Sequence, residues 1–104
     1  MAEFINPFSG VTPDRKLTDR ELTRAIRMAV AAEEEAVHMY EAMADASDNA
    51  LAAKVLQDIA DEERVHAGEF QELLRHLLPD EQALLKKGAE EVQEMAGEEK
   101  EQKE

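Results

Sequence analysis

Cysteine and tryptophan are absent from this chain, and its 104 residues include only three prolines, four glycines, one tyrosine and three phenylalanines. Without cysteine there can be no disulfide, zinc–thiolate site, iron–sulfur cluster or rubredoxin-type iron, so any metal must be held by oxygen and nitrogen. Few prolines and glycines leave few places to interrupt a helix, and the abundance of Ala, Glu, Leu, Arg and Lys points to an all-α chain. Bases are scarce too: 12 against 25 acids, a net charge of −13. Binding nucleic acid requires a basic surface, which this chain lacks, whereas cations are attracted. No run approaches the ~18 apolar residues of a membrane span, and the N-terminus lacks the basic region and apolar core of a secretory leader. The expectation is a cytoplasmic protein of one domain, with a core modest enough to need a partner.

What is present falls into segments. Residues 1–17 carry Pro7, Gly10 and Pro13 among Phe4, Ile5, Phe8 and Val11, which predicts an extended arm with apolar side chains. Thr18-Asp19-Arg20-Glu21 has the form of a capping box, and a helix follows to about Ala46. Ser47-Asp48-Asn49 is a short polar turn, and a second helix starts near Ala50 and runs to Leu78, stopped by Pro79. So short a connection makes the pair an antiparallel hairpin. Asp80 then caps a third helix, Glu81 to about Ala96, which Gly97 ends. The predicted organisation is an arm over 1–17, a helical half-bundle over 18–96 and a charged, disordered tail over 97–104.

The apolar seam of the first helix reads Leu22, Ile26, Ala29, Glu33, Ala36 or Val37, Tyr40, Met43, and that of the second Leu56, Ile59, Glu63, His66, Phe70, Leu73, Leu77. Each seam is interrupted by ionisable residues. Glu63 and His66, three apart, stand one above the other on a helix and can reach one ion. Glu33 lies fifteen residues before Asp48 and Glu63 fifteen after it, so in an antiparallel hairpin both sit ~22 Å from the turn, at one level. Buried carboxylates need partners, and a divalent cation satisfies several at once. The competing interpretation of Glu63 and His66 is an ordinary helical ion pair, and of Glu33 an exposed residue at the seam's edge.

A di-iron carboxylate site in a four-helix bundle takes two Glu and two Glu-x-x-His, and this chain supplies half of that. The other half would come from a second copy through a two-fold axis near Glu33 and Glu63. Two copies of these glutamates bring about −4, balanced by about +4 from two divalent ions. Oxygen and imidazole donors suit Fe(II), Mn(II) or Zn(II), with no preference readable. Tyr40, two turns after Glu33, is either a neighbour of that site or a core aromatic with a polar tip. Glu62 is the alternative ligand should the helix be rotated. Glu34, Glu35 and Asp61 lie off the seams as solvated charge or a path for cations. His38 and His76 belong to the surface, and the methionines fill the core.

Glu-Glu-Glu-Ala-Val-His-Met-Tyr (33–40) and Asp-Glu-Glu-Arg-Val-His (61–66), within a stretch from about Leu17 to Val92, resemble the encapsulated ferritin family, ferritin-like cargo of encapsulin nanocompartments. The resemblance implies a ferritin-like bundle completed by dimerisation, with an inter-subunit di-iron ferroxidase centre. Its ligands would be Glu33, Glu63 and His66 from each of two chains, with Tyr40 beside the metal. It further implies assembly of the dimers into an open ring, commonly a decamer, inside an encapsulin shell, and an acidic site on Glu34 and Glu35 through which metal enters. One position that is acidic in some relatives is Ala32 here, and residues 98–104 contain none of the family's apolar docking peptide. The expected function is therefore oxidation of Fe(II) to Fe(III), feeding storage in the shell, with Mn or Zn as substitute metals. The alternative is a non-enzymatic helical assembly module with a structural metal or an ion pair at its dimer interface.

Overall fold

A computed structural model describes residues 14–103, with side chains as far as Glu99. The arm expected over 1–17 thus lies largely outside the described residues. Three helices follow in order: α1 (Asp19–Asp45), α2 (Ala50–Leu77) and α3 (Glu81–Lys103). Among the described residues there is no strand, and no helix is long and apolar enough to cross a membrane.

The signals at the helix ends act as their chemistry suggests. The Thr18 hydroxyl accepts from the Glu21 amide at 3.2 Å, and the Glu21 carboxylate accepts from the Thr18 amide at 3.0 Å. The Arg15 guanidinium binds both oxygens of that carboxylate, at 2.7 and 2.8 Å. Those Arg15 bonds, with the Thr18 amide, lower the Glu21 carboxyl to about 2. Asn49 opens α2 by accepting from the Ala52 amide at 3.0 Å. Leu78, which precedes Pro79, leaves helical geometry at φ −129° and ψ 64°.

α3 departs from expectation at both ends. The amides of Glu81 and Gln82 bond to the backbone carbonyls of Leu78 and Pro79, so the helix starts on a backbone turn, without a hydrogen bond to the Asp80 carboxylate. At the other end it passes through Gly97 and continues to Lys103, where the sequence predicted a stop at Ala96 and a disordered tail. A glycine costs a helix only ~1 kcal/mol, and the Glu, Lys and Gln residues beyond Gly97 are good helix formers.

α1 and α2 pack along one another, whereas α3 makes no extended contact with either and leaves the hairpin at an angle, giving overall extents of 61 × 46 × 25 Å. The hairpin's innermost residues are Thr23, Ile26 and Ala44 of α1 and Ala60 and Ala67 of α2. Apart from Ile26, the seams predicted from the larger hydrophobes are not this line of closest approach. They lie rotated from it, on one flank, where Leu22, Ala29, Tyr40, Ile59, Phe70 and Leu77 are half-buried. Met43, Val55 and Leu73 border that flank at 48, 47 and 44% exposure. The opposite flank is polar: Arg64 reaches Glu41 across the helices at 2.7 Å and Asp61 at 2.9 Å, and Arg27 pairs with Glu81 of α3.

Candidate metal centre

Glu33 projects from the middle of α1, and Glu63 and His66 from successive turns of α2 at the same level. The antiparallel register about Asp48 brings the three together as the sequence predicted. His66 Nδ1 stands 3.7 Å from Glu63 Oε2 and 3.9 Å from Glu33 Oε2, and one donor atom from each residue lies within 4.8 Å of the other two. The two carboxylates are about four-fifths buried, while the imidazole is 51% exposed on the apolar flank.

A charge-assisted N–H···O bond spans ~2.7–2.9 Å, so both carboxylates stand within ion-pair range of the imidazole but neither is hydrogen-bonded to it. Around one ion with bonds of ~2.1 Å, neighbouring donors stand roughly 3.0–3.4 Å apart, so a small closure of the present geometry would enclose a cation. Glu33 Oε2 is buried and accepts no hydrogen bond. A solvent-excluded carboxylate oxygen without a donor is costly, and a divalent cation removes that cost. The donor set therefore fits Fe(II), Mn(II) or Zn(II), and three donors from one chain leave coordination positions for others.

The remaining candidates lie outside this group. Tyr40 is half-buried on the same flank, two turns along α1, and its hydroxyl makes no hydrogen bond to another described residue. Glu35 and Glu62 are exposed. Glu34 lies in a shallow groove on the polar flank together with Val37, Arg64 and Gln71. His38 is exposed, and His76 is an exposed neighbour of Glu72 at 3.4 Å.

Arg64 is the residue the sequence underrated. It is a spacer inside Glu-x-x-His, yet it bonds across the helices to Glu41 and within α2 to Asp61, on the face away from Glu63 and His66. The Arg64 bond lowers the Glu41 carboxyl, and that same bond raises the Arg64 guanidinium. The Asp61–Arg64 spacing was readable as an i,i+3 pair, but the bond to Glu41 depends on how the helices are registered.

Several known proteins are similar to this chain. Residues 24–104 match the Rubrerythrin family model. The chain is 46% identical over 85 residues to the encapsulin nanocompartment cargo protein EncC of Myxococcus xanthus, covering 82% of this chain and 65% of that protein. It is 42% identical over 93 residues to a ferritin-like–encapsulin shell fusion protein of Pyrococcus furiosus, covering 89% of this chain and 27% of the fusion. The crystal structure of the encapsulated ferritin domain from Pyrococcus furiosus superposes with a TM-score of 0.80 at 41% identity, over 92% of this chain and 97% of that domain. With that identity across nearly the whole of a solved domain, the chain belongs to the encapsulated ferritin family.

Proposed function

We propose that this chain is a ferroxidase that works as a dimer, with Fe(II) as its substrate and an encapsulin shell as its surroundings. The observation that carries the proposal is the Glu33–Glu63–His66 group, with its buried, unbonded Glu33 oxygen on an apolar flank that the hairpin leaves half-open. Two such flanks meeting across a two-fold axis bury Met43, Val55 and Leu73 and bring six ligands around one point, four of them carboxylates.

Each residue then has a task. Glu63 and His66 hold one ion from a single helix face, and Glu33 reaches across from α1 to share it or bridge to the next. Carboxylates suit this work because they pass between terminal and bridging modes as the charge on the ions rises. Two ferrous ions side by side supply the two electrons that carry dioxygen, with two protons, to hydrogen peroxide. Tyr40 lies on the same flank two turns along α1 from Glu33, and its part is to hold a proton or a water beside the ions once two flanks meet. The Glu34 and Glu35 carboxylates raise the local concentration of cations.

The family's assembly follows as part of the proposal: dimers joined in an open ring such as a decamer, held inside the shell that would store the oxidised iron. The names of the relatives, one an encapsulin cargo protein and one fused to an encapsulin shell, support that setting.

The test is anaerobic loading with Fe(II) followed by oxygen, read by ferric absorbance, with native mass spectrometry before and after loading. Oxidation well above the buffer rate, two irons per two chains, and loss of both in Glu63→Ala and His66→Ala are expected. Oxidation at the buffer rate, with metal content unchanged in Glu63→Ala, would instead establish a non-enzymatic assembly module.

A further inference from the structure

All the sulfur in this chain is thioether: five methionines and no cysteine. A thiolate is the usual side chain to intercept a peroxide, and without one the part falls to methionine, whose sulfur accepts a single oxygen to become a sulfoxide. Where the methionines stand then decides which of them meets an oxidant first.

Met39 and Met43 are four residues apart on α1, one above the other on the same face, and each is 48% exposed. Neither fills the interior of the hairpin, so packing of the core does not account for them. Met43 borders the apolar flank that carries Glu33, and Met39 directly precedes Tyr40. At the helical rise the pair lies ~9 and ~15 Å along α1 from Glu33. Met28, on the other side of Glu33, is half-buried. Met95 is the most open described thioether at 63% exposure, but it belongs to α3, which makes no extended contact with the hairpin. The chain therefore holds two open thioethers beside the metal centre and a more open one away from it.

We propose that Met39 and Met43 are a modification site, a sacrificial trap for hydrogen peroxide leaving the Glu33, Glu63 and His66 centre. The oxidant is the product of the proposed ferroxidase reaction, on which this trap depends: one hydrogen peroxide for each pair of ferrous ions. The sulfur lone pair attacks one peroxide oxygen, an S–O bond forms as the O–O bond breaks, and the second oxygen leaves with both protons as water. Sulfur loses two electrons and peroxide gains them. Methionine sulfoxide is reversible by dedicated reductases, so the trap is renewable where an oxidised backbone or ligand would not be. Once two flanks meet, Met43 is covered from bulk solvent yet stays on the flank that carries the ligands, which favours peroxide made at the site over peroxide from outside.

The experiment is a single turnover of the full chain. Protein loaded anaerobically with two Fe(II) per two chains is given oxygen with catalase in the buffer, ferric absorbance is followed, and sulfoxide is located by peptide mass mapping. Sulfoxide at Met39 and Met43 should exceed that at Met95 by about threefold or more. An equal dose of hydrogen peroxide added to the metal-free chain should abolish or reverse that order, because Met95 is the more exposed. Glu63→Ala, treated as the wild type, should lose the preference too. In Met39→Leu with Met43→Leu, which nearly conserves side-chain volume, the peroxide released without catalase should roughly double for each ferric ion formed. Ferric absorbance at the enzymatic rate without a preference for Met39 and Met43 overturns the trap and leaves the ferroxidase standing. A preference that persists in Glu63→Ala, or a peroxide yield that the double variant leaves unchanged, also overturns it. Ferric absorbance rising only at the buffer rate overturns both.

Discussion

Glu33 is where a single residue carries a cost that only a partner can remove. Its Oε2 is buried and accepts no hydrogen bond, with the Glu63 carboxylate close by. Breaking up a pair of close carboxylates relieves repulsion and desolvation alike, so the neutral isostere is expected to favour the metal-free fold. Glu33→Gln should therefore raise the melting temperature in chelator, by an amount equivalent to about 1 kcal/mol, while abolishing iron uptake. Thermal melts in chelator and an Fe(II) titration check the two halves, and a lower melting temperature would contradict this account of the site. Such opposed effects separate a residue kept for binding from one kept for packing, and Ala60, fully buried at the helix contact, is of the second kind.

At the scale of the element, the start of α1 makes a prediction about acid. The Glu21 carboxyl is lowered from 4.5 to about 2. A group depressed in the folded state contributes stability above its unfolded value and loses that contribution as pH falls toward the folded one. The capping box should thus hold α1 firmly above about pH 4.5 and release its first turn progressively toward about pH 2. Hydrogen exchange at the first-turn amides should then be more protected in the wild type than in Glu21→Gln at neutral pH, and indistinguishable near pH 2. Helix ends were legible in the sequence for this reason: Thr18, Glu21, Asn49 and Pro79 act locally, through the backbone next to them. The convergence of Glu33, Glu63 and His66 was legible because they break apolar periods at one distance from a short turn. The line of closest helix contact was not, since Ala60 and Ala67 are small and weakly hydrophobic and a period drawn through Leu, Ile and Phe passes them by. Those larger residues mark the half-open flank instead. The far end of α3 was also misread, because Gly97 weakens a helix without ending it.

For the molecule as a whole, the decisive feature is how little one chain encloses. Five described residues are buried, three of them alanines and one a threonine, and no large side chain is fully hidden from water. Burying apolar area is the main favourable term in folding, and among the described residues much of that area stays exposed, where under the proposed assembly a second chain covers it. The melting midpoint should therefore fall as the protein is diluted, and rise again with Fe(II) to an extent equivalent to about 2.7 kcal/mol at a hundredfold excess over its dissociation constant. Differential scanning fluorimetry across a concentration series, with and without metal, measures both, and a midpoint independent of concentration would show the lone hairpin to be self-sufficient. The alanine-lined interior has one more consequence. Helices that touch through methyl groups bury little apolar area, so under the proposed assembly a new copy meets its mate before its own hairpin is firmly packed. Under that assembly, scarcity itself would act as a denaturant, and abundance would finish the fold.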